Sequence, residues 1–474
     1  VACRFQLLGN DRFGFVADGW DRSGVLTIDP GLQYSSFHGG SGYDGIFDTA
    51  VADSGSLKRR MFVTGYSTST NFPTLTPFQA QNAGGVDAVV SAFDPDPNGT
   101  DLVWSTYLGG QRDEFGWSIG WTPARDGMVA VTGESESAAA GPPFPSVNGL
   151  AGAPTIPQSL DAFVVRMDAT TGGVQFSSLM GGDEEDRGYG IAFDRDGDMY
   201  VTGDTGSQYN AARRFPATSS GFQIARAGAT DAFVTRISEA AEGTFQILYS
   251  SFLGGLVADV GRGIDARFAP ARVYAVGGTD ANSTAPLFPT TTLGFQTTSL
   301  GGADGYIAQF NMNASGSNSL SICSLYGGPL DDQATDVCTA LGVEIHVVGW
   351  TGGNSQGVLF PLKNAVQPTF GGGGRDAFVA SFRPSPTTTG WLSSTFLGGS
   401  RSDEARSVWG GYRWRINVAG GTNSRDFPTT PGAIQEANVN YSDSAFLTRL
   451  CWDPALGSQE LLYSTYLAGW NFDR

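Results

Sequence analysis

The sequence predicts an all-β chain folded as a β-propeller, and three observations carry that expectation. A seven-residue phrase recurs: YSSFHGG from Tyr34, WSTYLGG from Trp104, FSSLMGG from Phe176, YSSFLGG from Tyr249, ICSLYGG from Ile322, SSTFLGG from Ser393 and YSTYLAG from Tyr463. Successive copies stand 70 to 73 residues apart, so six full units lie between seven copies. Glycine supplies 67 of 474 residues, about twice its usual share of roughly 7%, and no useful length shows helical period. Short runs rich in Val, Phe, Tyr and Thr, punctuated by Gly, Asp and Pro, read as strands and turns. Four-stranded units in tandem are propeller blades. A β-solenoid would have shorter coils, and immunoglobulin-like domains run to about 100 residues.

Each unit holds four strands, a to d. Strand a opens on a carboxylate four residues after the second glycine of the phrase: Asp44, Glu114, Asp186, Asp259, Asp332 and Asp403, with Asp473 in the last partial copy. Along strand a, small residues such as Gly188 and Gly190 alternate with bulkier ones such as Trp117 and Ile119, as in a strand with two unlike faces. Strand b ends in glycine, at Gly65, Gly133, Gly203, Gly277, Gly349 and Gly420, and a hydroxyl follows two residues on. A Phe-Pro pair comes next, from Phe72, Phe144, Phe215, Phe288, Phe360 and Phe427. Strand c opens on Asp87, Asp161, Asp231, Asp304 and Asp376, with Asp443 one place early, and strand d is the recurring phrase. The Gly-Gly pair between d and the next a is expected to permit the unusual backbone angles of a crossing between blades.

Six blades of about 70 residues are complete. Residues 1–33 read as an N-terminal β segment and residues 34–474 as the repeats, in units starting at 34, 104, 176, 249, 322 and 393 with a partial copy at 463. The two termini are expected to supply part of a seventh blade, which would close the sheet edges. A closed six-bladed ring is the alternative. A chain that stops just after a repeat begins also reads as part of something longer.

The pattern YSTYLGG…D…YVTG…FPT…DAFV resembles the bacterial SBBP family, named for a seven-bladed β-propeller repeat. The resemblance spans residues 34 to 474, and Phe13 to Tyr34 resembles the segment that precedes the first repeat in that family. It implies a secreted or surface-associated protein and no particular catalytic activity.

Charge narrows the partners. The formal net charge is −18, which disfavours phosphate backbones and anionic membrane surfaces. No stretch approaches the ~18 apolar residues of a membrane span. The expected partners are other extracellular proteins, glycans or copies of the chain itself. The six-carboxylate ring could take a cation at a channel mouth, but a group repeated in every blade is expected to be structural, accepting backbone N–H bonds. Asp94, Asp96, Asn98 and Asp101 match the opening of a calcium loop without its closing glutamate, and Asp194, Asp196 and Asp198 form a shorter version. Calcium is therefore the one cofactor the sequence raises. Of four cysteines, Cys323 and Cys338 are expected to lie too far apart to bridge, whereas Cys3 and Cys451 could staple the termini.

Catalytic groups are sparse. His38 and His346 sit in strands outside any motif, and GNSQG from Gly353 lacks the strand-to-helix setting of a nucleophile elbow. The expected function is a non-enzymatic extracellular scaffold, adhesion or interaction module. The alternative is a polysaccharide-active enzyme using a channel-mouth cluster of acids, Arg and aromatics, for which Trp117, Arg262 and Arg406 are candidates. A calcium-dependent binding module is the third.

Overall fold

The computed structural model describes residues 2–9, 12–18, 36–95, 102–136, 142–153, 159–208, 214–266, 272–280, 287–340, 344–353, 360–384, 390–411, 414–438, 443–453 and 458–469. The chain divides into a small unit, Val1–Phe37, and a large one, His38–Arg474. In the small unit β1 (Ala2–Gly9) pairs antiparallel with β2 (Arg12–Asp18) as a two-stranded sheet.

The large unit is a six-bladed β-propeller with almost no helix, its four-stranded antiparallel blades set in a ring. Blade 1 is β3 (Asp44–Val51), β4 (Met61–Ser67), β5 (Asp87–Phe93) and β6 (Leu102–Leu108). Blade 2 is β7 (Glu114–Thr122), β8 (Met128–Ser135), β9 (Asp161–Asp168) and β10 (Val174–Met180). Blade 3 is β11 (Asp186–Phe193), β12 (Met199–Thr205), β13 (Asp231–Ala241) and β14 (Thr244–Leu253). Blade 4 is β15 (Asp259–Asp265), β16 (Arg272–Thr279), β17 (Asp304–Asn311) and β18 (Leu320–Tyr326). Blade 5 is β19 (Asp332–Ala340), β20 (Glu344–Thr351), β21 (Asp376–Phe382) and β22 (Trp391–Leu397). Blade 6 is β23 (Asp403–Gly410), β24 (Arg415–Thr422), β25 (Ser444–Asp453) and β26 (Ser458–Leu467). Of the two arrangements left open by the sequence, this is the six-bladed one. No seventh four-stranded sheet occurs among the described residues.

Strands a and b pair in one register throughout, and each pair carries the same irregularity. The ladder skips the third residue after the opening carboxylate, as between Gly116 and Ser118 or Gly188 and Gly190. The alternation expected of strand a is therefore interrupted by a bulge, which re-aims the side chain it carries. Strand b runs two residues past the glycine expected to end it, to the hydroxyl residue, and that glycine makes the bulge possible. A Cβ on Gly133 or Gly203 would lie 1.8 Å from the carbonyl oxygen of Phe115 or Arg187, so only glycine lets the bulged backbone approach.

The Gly-Gly pair has a different reason from the expected one. None of Gly109, Gly181, Gly254, Gly327 and Gly398 has a positive φ. A Cβ on Gly109 would instead lie 2.6 Å from an Asp87 oxygen and 2.7 Å from Glu114 Oε2. The missing side chain makes room for two carboxyl groups.

Blades stack through apolar faces. The face of blade 1 with Ala88 and Val90 meets Ile119 and Val131 of blade 2 in one core, and blades 3 and 4 and blades 5 and 6 meet likewise. Beside these cores the Phe-Pro phenylalanines are all buried and pack on strand c, as Phe144 does on Phe163 at 4.7 Å. Such burial is worth about 25 cal/mol for each Å² removed from water. Five of the six junctions pack strand on strand in this way. From blade 6 back to blade 1 no described pair of strands packs comparably. There Leu447 and Trp409 on blade 6 and Ile46 and Val51 on blade 1 are exposed, whereas Val90, Val164, Val234, Ile307 and Val379, which match Leu447, are buried.

Candidate functional site

The repeated carboxylates lie buried in the junctions, Asp44 excepted, which is half-buried. Each accepts the backbone N–H of the second glycine of its phrase: Gly40 to Asp44 at 2.7 Å, Gly110 to Glu114 at 2.6 Å, Gly182 to Asp186 at 2.8 Å, Gly255 to Asp259 at 2.7 Å, Gly328 to Asp332 at 2.6 Å and Gly399 to Asp403 at 2.7 Å. Hydroxyls at the end of strand b or just beyond it add to this, Ser135 donating to Glu114 at 2.9 Å and Ser424 to Asp403 at 2.8 Å. The aspartate of strand c sits beside the carboxylate of the next blade. Burial, reinforced by that neighbour, raises Asp87, Asp259 and Asp376 to about 7 and Asp332 to about 8.

A glutamine ties the strand c aspartate to the first glycine of the Gly-Gly pair, and its repetition escaped the sequence reading. Gln79 donates to Asp87 at 2.7 Å and accepts from Gly109 N–H at 3.0 Å. Gln223 repeats this with Asp231 and Gly254, and Gln296 with Asp304 and Gly327. The signal was a Phe-Gln pair eight residues before the strand c aspartate at Gln79, Gln223 and Gln296.

The bulge positions are where the blades differ. They hold Phe47, Trp117, Tyr189, Arg262, Thr335 and Arg406. In blades 1 to 4 these side chains converge along the inner strands. Phe47 stacks on Trp117 at 4.3 Å, Trp117 stands 5.9 Å from Tyr189, and the Arg262 guanidinium lies 4.3 Å over the Tyr189 ring. Tyr66 and Phe115 extend the aromatic arc, 5.5 Å apart. Phe47, which also has Tyr66 at 5.3 Å, remains 43% exposed, so the arc reaches solvent at that end.

Beside the arc lies an ion-pair network. Arg187 reaches Glu134 at 3.3 Å, Asp204 at 3.4 Å and Glu185 at 2.5 Å. Burial holds Glu134 and Asp204 above the usual carboxylate range, against the pull of Arg187. Burial likewise lifts the Tyr189 hydroxyl to about 12. Of the sequence candidates, Trp117 and Arg262 belong to this cluster. Arg406 instead pairs with Glu404 at 3.6 Å, beside Arg375, which covers Trp350 at 3.8 Å.

The remaining candidates fall elsewhere. Asp94 is held by Arg60 at 3.0 and 2.7 Å, while Asp96, Asn98 and Asp101 lie outside the described residues. Asp194 closes its own turn, accepting from Asp196 and Asp198 N–H at 3.0 Å and from the Tyr200 hydroxyl at 2.9 Å. His346 is buried against Ser381 at 2.8 Å, with its pKa lowered by burial to about 4. His38 meets Ser91 at 2.8 Å and sits edge-on to Phe72 and Phe93. Cys323 and Cys338 occupy different cores. The side chain of Cys3, and with it any pairing with Cys451, lies outside the described residues, as does the GNSQG segment after Gly353.

The SBBP family, described as a beta-propeller repeat, matches residues 175–210. That stretch runs from β10 through the Gly-Gly junction and β11 to beyond the end of β12. No curated protein matches the chain. Among solved structures, a protein of unknown function from Dyadobacter fermentans is 11% identical, with 82% of this chain and 94% of that one covered, at a TM-score of 0.38. The hemagglutinin-neuraminidase ectodomain of parainfluenza virus 5 is 10% identical, with 94% and 83% covered, at a TM-score of 0.34. Neither likeness is close enough to carry a functional argument.

Proposed function

We propose that this chain, which carries an SBBP-type propeller repeat, is a non-enzymatic extracellular recognition module that holds a glycan at the aromatic and arginine cluster of blades 1 to 4. One observation carries the reading. Every blade spends its repeated residues on holding the ring, whereas the bulge positions diverge and gather into a single mixed cluster. Open aromatic faces stack on the apolar faces of sugar rings, and an arginine-carboxylate network meets their hydroxyls. The extracellular setting follows the family resemblance.

Binding of the full chain to a panel of neutral and acidic polysaccharides tests this. Trp117→Ala and Arg262→Ala are each expected to weaken capture about tenfold or more, as central aromatic and arginine contacts do, measured at a temperature at which both variants are folded. Capture unchanged in both variants would overturn the reading.

A polysaccharide-cleaving enzyme at the same cluster is the second reading, favoured by the raised carboxyls of Glu134 and Asp204. Release of reducing ends from the same panel, lost in Glu134→Gln, would replace the binding module with an enzyme.

A further inference from the structure

Junctions 4–5 and 5–6 are built on one plan and filled differently. In junction 4–5 four aromatics meet: Phe295 lies 5.5 Å from Tyr326, 5.3 Å from Phe382 and 5.8 Å from Trp391. The matching positions of junction 5–6 can be read from the repeat. Phe295 and Val366 each precede the glutamine whose N–H donates to a strand d hydroxyl, Ser324 or Thr395. Tyr326 and Leu397 each precede the Gly-Gly pair. Phe382 faces Trp391 across its strand pair as Leu450 faces Leu461. Every one of the four aromatics is thus an aliphatic in junction 5–6.

In their place is a half-open cleft of about 380 Å³, lined by Val366, Leu397, Leu450, Leu461 and Phe396 with Gln367, Thr369 and Thr395 at its polar parts. Junction 3–4 keeps Phe222 packed against a core with Phe310 and Leu320, and junction 2–3, with Met180, Ile237 and Ile247 at three of these positions, is filled instead by Phe176 and Phe245, 4.3 Å apart. A largely apolar cleft of this size has room for an aromatic ring with a few polar groups at its mouth to orient it. Among the residues lining it, Asp426 alone is charged. It is exposed, and one of its oxygens accepts from the Ser400 N–H and hydroxyl, each at 2.9 Å.

We infer that the cleft between blades 5 and 6 is a binding site for an arylalkylammonium: one or two aromatic rings seated where junction 4–5 keeps its own, with the cationic amine toward Asp426. The site is distinct from the cluster of blades 1 to 4 and does not depend on that reading.

Titration of the full chain with tryptamine at low salt tests the inference. Saturable binding is expected, with indole-3-acetate about tenfold weaker or worse because it sets a carboxylate against Asp426. Asp426→Asn should bring the two ligands within about threefold of each other. Val366→Phe and Leu461→Trp rebuild parts of the aromatic set. Each should lower tryptamine affinity about tenfold or more while leaving the melting temperature level or higher. A blocked Lys-Trp-Lys peptide separates the sources. Binding as tight as tryptamine assigns the site to a side chain of a partner, and failure to bind assigns it to a free amine. No saturable tryptamine binding, or binding unchanged in both filling variants, would overturn the inference.

Discussion

Gly420 and Gly421 are chain neighbours with opposite tolerances. A Cβ on Gly420 would sit 2.0 Å from the Glu404 carbonyl oxygen, while one on Gly421 meets nothing within 4 Å. Gly420→Ala is therefore expected to cost about 3 kcal/mol or more, the scale of an overpacked, strained backbone. Gly421→Ala should fall within about 0.5 kcal/mol of the parent. Urea unfolding of both variants measures the difference, and equal midpoints would contradict the bulge account. The repetition of this glycine was plain in the sequence, but its cause was not, because the carbonyl it admits belongs to a different strand. The Gly-Gly pair teaches the same lesson: a torsional explanation came easily from sequence, whereas the cause is a contact with two distant carboxyls.

At the scale of the strand pair, those carboxyls set a pH response. Asp87, Asp259 and Asp376 titrate near 7 and Asp332 near 8 in the folded chain, against about 3.9 when unfolded. The charged groups that raise them are Glu114 and Asp113 for Asp87, Asp231 and Asp280 for Asp259, Asp304 and Asp331 for Asp332, and Asp403 and Asp426 for Asp376. Between about pH 4 and 7 the folded state holds protons that the unfolded state has released, so stability falls as pH rises through that window. The slope is about 1.4 kcal/mol per pH unit for each proton. Denaturant midpoints are expected to be higher at pH 5 than at pH 8, and Asp332→Asn should make the slope shallower. A midpoint that climbs between those pH values would refute the pairing. The sequence showed both carboxylates in each unit but gave no sign that one blade's strand c and the next blade's strand a would bury them together.

At the scale of the whole molecule, blade boundaries were legible almost to the residue, since a period of 70 to 73 residues imposes one strand order on every unit. The candidate site was legible only in outline. Trp117 and Arg262 stood out because they break a repeat, but Glu134, Asp204 and Arg187 join them through strands of three blades, which no local pattern discloses. The exposed faces of blades 1 and 6 have a mechanical consequence. Among the described residues the hoop is fastened at five points and open at the sixth, and such a hoop is compliant: it can widen or narrow by flexing at the open point while each blade stays intact. Opening should therefore start there. Hydrogen exchange is expected to label β3 and β24 earliest among the inner strand pairs and β11 and β15 last, because exposed ladders open at lower free energy than packed ones. Uniform protection of all six inner edges would show the hoop to be equally stiff all the way round.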